Sequence, residues 1–142
     1  MPTPRGAWYS LDLSIKEDQA DVANSDVVVV GGICHKAGTV KEILVGETIL
    51  PTTATLAIYK NNQVSGTAGT PVTLLSAATT DLASATVYTA HAASAMTLST
   101  SHESLQVAAG DILTATWTMT SITLAGADDL FCCTVLIEPN VW

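Results

Sequence analysis

Apolar and polar residues alternate with a period of two along most of this chain, and the helical period is almost absent. In ILTATWTMT, Leu113, Ala115, Trp117 and Met119 fall on one face, and Ile112, Thr114, Thr116 and Thr118 on the other. FCCTVLIE sets Phe131, Cys133, Val135 and Ile137 against Cys132, Thr134, Leu136 and Glu138. TLAIYK sets Leu56 and Ile58 against Ala57 and Tyr59, and ends at the turn-forming pair Asn61-Asn62. AMTLST puts Met96, Leu98 and Thr100 together. Further strands are expected at DVVVVGGIC, GTVKEILVG, TPVTLLS and ATVYTA, which are rich in β-branched residues and punctuated by Gly, Pro, Asn and Asp. About eight short strands without a convincing helix predict an all-β protein, a single antiparallel β-sandwich of jelly-roll type.

The first 26 residues differ in character. Trp8 and Tyr9 precede the alternation Leu11, Leu13, Ile15, and the acid-rich KEDQADVANSD follows. The expected organisation is an N-terminal arm and acidic linker over 1–26 and the sandwich over 27–142. Such an arm can bury its apolar face on another chain, or it can be the first strand of its own sandwich. Trp8, Tyr9, Leu11, Leu13 and Ile15 are therefore candidate residues for contact with another chain, as is the C-terminal Trp142, which either tucks onto the sandwich or docks on a neighbour. The Ala-, Ser- and Thr-rich stretch from Ser76 to Ser101 reads as strand plus loop, with a helix at DLASA left open.

Composition narrows the function. Charged residues make up only 13% of the chain, half of the usual fraction of about 25%. Threonine, alanine and serine fill the gap, as suits a surface covered by partners or facing a harsh exterior. The net charge of −8 argues against nucleic acid as a partner, which needs clustered Lys and Arg. All five basic residues (Arg5, Lys16, Lys36, Lys41, Lys60) lie in the first 60 positions, and only acids follow. No segment approaches the roughly 20 apolar residues of a membrane helix, and the N-terminus lacks the apolar core of a signal peptide. A soluble chain without membrane contact is expected.

Candidate chemistry is sparse. Cys34, Cys132 and Cys133 do not form a disulfide framework, and buried free thiols are expected in a reducing cytosol. Zinc held by Cys34, His35, Cys132 and Cys133 lacks the C-x₂₋₄-C spacing that lets two thiolates converge. No signature surrounds Cys34, His35, His91 or His102 to mark a nucleophile and its base, and the two later histidines read as exposed or partner-contacting. Asp128 and Asp129 in AGADDL could act as paired carboxylates or hold calcium, but they read more simply as a polar hairpin loop. Asp111 follows Gly110 between two alternating runs, so it reads as a turn residue whose carboxylate caps its own turn's N–H groups. No cofactor, no metal and no enzymatic activity are expected.

Ala37-Gly38-Thr39-Val40, Ala54-Thr55-Leu56 with Ile58 and Lys60-Asn61, Val107 with Ala109-Gly110-Asp111, and Val135 to Ile137 come in an order that resembles a recurrent β-sandwich domain of tailed-bacteriophage virion proteins. The resemblance spans about residues 27–140 and rests on short, turn-forming motifs. Since the chain carries little beyond one such domain, it is most similar to a head decoration, or cement, protein. The resemblance implies a non-enzymatic virion protein on the capsid exterior, assembled in the host cytoplasm. Its implied partners are the major capsid protein and further copies of the chain, with a homotrimer favoured and an arm reaching neighbours. The alternative is a receptor- or carbohydrate-binding module of a phage fibre or tail, using Trp, Tyr and loop acids.

Overall fold

The structure, a computed structural model, describes residues 7–15, 27–47, 53–60, 72–77, 80–81, 93–121 and 131–140. In chain order the elements are β1 (Tyr9–Asp12), β2 (Val27–Ile33), β3 (Gly38–Glu47), β4 (Thr53–Lys60), β5 (Val72–Thr73), β6 (Thr80–Asp81), β7 (Ser94–Ala95), the short helix α1 (His102–Leu105), β8 (Gln106–Val107), β9 (Ile112–Ser121) and β10 (Phe131–Pro139).

Two antiparallel sheets face each other. The first runs β1-β10-β3-β7, with β8 also on β3; the second runs β2-β9-β4-β5, with β6 also on β4. The pairings are nested. β1 pairs with β10, β2 with β9, β3 with β7 and β8, and β4 with β5 and β6. A chain folded back on itself as one long ribbon of such pairs, then rolled so that successive strands alternate between sheets, is a jelly roll.

The alternation in the sequence decides which side chains fill the space between the sheets. Leu113, Ala115 and Trp117 of β9, Leu56 and Ile58 of β4, and Phe131, Cys133, Val135 and Ile137 of β10 are all buried there, as their spacing predicts. Trp117 stands in the middle. Its ring meets Phe131 edge-on with centroids 6.1 Å apart, and its indole N–H donates to the Leu13 carbonyl at 3.1 Å, which leaves its one polar group satisfied. In β3 the register against β10 slips between Leu136 and Ile137, so Lys41 is an extra residue. That bulge leaves Lys41 exposed and brings Ile43, Val45 and Glu47 back onto the core side.

Several expectations need correction. The segment between β9 and β10 does not close a hairpin, because β9 lies in the second sheet and β10 in the first; Asp128 and Asp129 themselves lie outside the described residues. The near-absence of helix holds among the described residues, where the one α-helix is the four-residue His102–Leu105. Among the described residues of TPVTLLS, Val72–Thr73 are strand and Leu75 makes an isolated bridge to Leu98. Buried thiols hold for Cys34 and Cys133, but Cys132 is exposed because its neighbour takes the core side. ATVYTA, DLASA beyond Asp81, and His91 lie outside the described residues.

Candidate interaction surface

The candidate contact residues at the N-terminus belong, in this structure, to the chain's own sandwich. Tyr9 to Asp12 pair with Ile137 to Thr134. Beyond the strand, the Leu13 N–H donates to the Cys133 carbonyl at 2.8 Å and the Ile15 N–H to that of Phe131 at 3.1 Å. Leu13 and Ile15 are buried core residues, Leu11 and Tyr9 are half-buried against the core, and Trp8 is half-buried. Residues 9–15 therefore follow the second of the two readings of that segment, and Leu13 and Ile15 offer no open apolar face. Trp142 lies outside the described residues.

At one end of the sandwich the polar residues hold turns together. The Asp111 N–H donates to the Ala108 carbonyl at 3.1 Å, while its carboxylate accepts the Ala108 N–H at 2.8 Å. Gly110 sits at φ +93°, the left-handed region that glycine enters without penalty. The turn switches the chain from β8 on the first sheet to β9 in the second, so it is a crossover between layers rather than a hairpin. Cys34 brackets it, its N–H donating to the Asp111 carbonyl at 2.8 Å and its carbonyl accepting from the Gly110 N–H at 2.7 Å.

Beside this turn the Tyr9 hydroxyl donates to the Lys36 carbonyl, and its ring lies against His35 with centroids 4.2 Å apart. Burial, with Cys34 beside it, pushes the Tyr9 phenol up to about 12. Burial likewise raises the Cys34 thiol, which favours the neutral thiol over the nucleophilic thiolate. The Lys60 ammonium donates to the carbonyls of Gln106 at 2.7 Å and Glu103 at 3.2 Å, at the end of α1. Gln106 in turn bonds Thr39 and His102, each at 2.9 Å. Apart from the local Gln106–His102 bond, these contacts tie one segment of the sandwich to another. The zinc set conceivable from sequence is divided, since Cys132 faces outward while Cys133 lies in the core. Among the described residues no three His, Cys, Asp or Glu side chains are grouped to hold a metal ion.

The outer faces of the two sheets contrast. On the first sheet Asp12, Lys41, Glu42 and Glu138 lie on β1, β3 and β10 away from the core, all exposed or half-buried. On the second, the outward positions of the three long strands are Val29, Gly31 and Ile33 of β2, Ile112, Thr114, Thr116 and Thr118 of β9, and Thr55, Ala57 and Tyr59 of β4. None is charged. The acid nearest these positions in register is Asp81, which pairs with Thr55 from β6, at the edge away from β2. Ile33 and Ile112 are direct cross-strand partners, 63% and 47% exposed, and Val29 is 57% exposed. Thr114, in the middle of the face, has its hydroxyl buried without a hydrogen-bond partner.

This face is partly legible in the sequence. The alternation puts Ile112 with the threonines of β9, and VVVVGGIC is the longest uncharged apolar run in the chain. What the pattern does not supply is that the two meet, side by side, at one edge of one sheet. The architecture thus defines an all-β jelly-roll sandwich with one acidic face and one uncharged face. Comparison of the chain with protein-family models, with curated proteins and with solved structures finds no match to any of them.

Proposed function

We propose that this chain is a non-enzymatic structural protein of a tailed-phage virion, attached to the outside of the capsid as a decoration or cement protein. The uncharged outer face of β2, β9 and β4 carries this reading. A face whose accessible residues are Val, Ile, Gly, Thr and Tyr can be covered by a partner without stripping water from a charge, the costliest part of burying a polar surface. Covering its apolar atoms is favourable by about 25 cal/mol per Å², and repetition over a shell turns a modest contact into firm attachment. The partners in this reading are the major capsid protein and further copies of the chain. The acidic face of the first sheet then stays in water and keeps the particle exterior soluble.

The fibre-module alternative draws less support. A sugar platform needs exposed aromatic rings, and Trp117 is wholly buried while Trp8 is half-buried. The test mixes purified protein with phage heads lacking it. Knobs added on the head exterior are expected for the wild type, and their loss for a Thr116→Glu/Thr118→Glu variant that melts normally. Labelling confined to tail tips, glycan binding by a monomer, or full occupancy by the doubly charged variant would overturn the proposal.

A further inference from the structure

β2 and β9 are the two long strands of the described residues that carry no charged residue. β9 is paired on both sides, by β2 and β4, whereas β2 ends its sheet and no described strand covers its other edge. Proteins normally keep such edges from joining other strands by making them short, or by placing a charge, a proline or a bulge on them. The remaining edge and near-edge strands have those devices. β5, β6, β7 and β8 are two residues each, and β1 has four and includes Asp12. β2 has none of them. It is seven residues long, reads VVVVGGI, keeps an unbroken register against β9, and exposes Val29 and Ile33.

We propose that β2 is a self-association strand, pairing antiparallel with β2 of a second copy across a two-fold axis at Val30, so that the second sheet runs continuously through both copies. Two features favour a second copy as the occupant. The inner positions of the strand complement their own reverse, because Val28 then lies opposite Gly32 of the other copy and Val29 opposite Gly31, so these two valines each meet a space, while Val30 lies opposite Val30 on the axis and Val27 opposite Ile33. The chain also carries a net charge of −8, and like charges directly opposite each other destabilise a strand pair. At β2 no charge is brought together at all. Such an interface is isologous and closes at two subunits, in place of the trimer implied by the resemblance. It joins the two uncharged faces into one, and it rests on β2 alone, whatever that face goes on to meet.

The experiment is the mass of the purified full chain by light scattering over a wide dilution series, with no capsid present. The wild type is expected to be a dimer that dissociates on dilution. Val29→Lys should be a monomer with an unchanged far-UV spectrum and melting curve. Gly31→Lys is the second variant, since a Cβ there meets its nearest neighbours, the Leu113 carbonyl oxygen and the Thr114 methyl, only at 3.7 Å; it should also be a monomer. Thr116→Glu, one strand further in, should remain a dimer. A single-chain mass at every concentration, a mass of three chains, or a dimer that survives both lysine variants would overturn the proposal. So would dissociation by Thr116→Glu alone, which would mean that copies stack face to face.

Discussion

Glu47 closes β3 on the core side, one alternation step beyond Val45 and directly opposite Phe131. It is 5% exposed, and both carboxylate oxygens are buried without a hydrogen-bond partner. Burial pushes its pKa up from 4.5 to about 7, because removing water penalises the charged form. The folded state therefore holds a proton that the unfolded chain releases at lower pH. Its contribution to stability is complete below the unfolded value and is lost as pH rises through about 7. At about 1.4 kcal/mol per pH unit, the full effect is on the order of 3 kcal/mol, and most of it is crossed between about pH 5 and 8. Replacing Glu47 by Gln keeps the shape and removes the titration. For a chain of this length the wild type should melt roughly 8 °C lower relative to Glu47→Gln at pH 8 than at pH 5. Thermal melts of both proteins at both pH values give the answer as a double difference, which cancels the titration of every other group. A double difference near zero would show that Glu47 is solvated or paired in the folded chain, and the assignment of a buried, lone carboxylate would fail.

Two further outcomes follow from the packing. A Cβ on Gly38 would press on the Glu138 carbonyl oxygen and lie 2.9 Å from the Ile137 side chain, so Gly38→Ala should cost about 1–3 kcal/mol in urea unfolding. Gly31→Ala, which meets no such obstacle, should stay within about 0.5 kcal/mol of the wild type, and equal stability of the two variants would refute the close approach of β3 and β10. Of the three free thiols, exposed Cys132 should react with an aromatic disulfide reagent in the native state, while Cys34 and Cys133 should wait for unfolding. The Cys133 thiol, raised to about 12 by burial, should be the slowest, and a prompt count of three would contradict the core.

The role of Asp111 is readable in the sequence alone, since a Gly-Asp pair between two alternating runs calls for a turn with a positive φ and a short side chain to cap it. The inward faces of β4, β9 and β10 are equally plain, because the side chains of a strand alternate whatever it pairs with. Glu47 is harder to read. An acid at a core position of an otherwise regular alternation is a signal, but only with the bulge at Lys41 taken into account does the count put it inward.

Local features are what the amino-acid order settles: which residues share a face, where the chain turns, and how little charge the surface carries. Pairing is decided in three dimensions. Nothing in FCCTVLIE says that its neighbours are β1 and β3 rather than β9, just as nothing in WYSLDLSI says that Leu13 and Ile15 enter the core of this chain. Strand pairing joins residues far apart in sequence, and the same alternating pattern suits any partner whose faces match. Only the tertiary arrangement puts charge-free β9 in the centre of a sheet and equally charge-free β2 at its end, where no described strand covers the other edge. That difference in position gives one of two similar apolar strands a neighbour on each side and the other, among the described strands, a neighbour on one side alone.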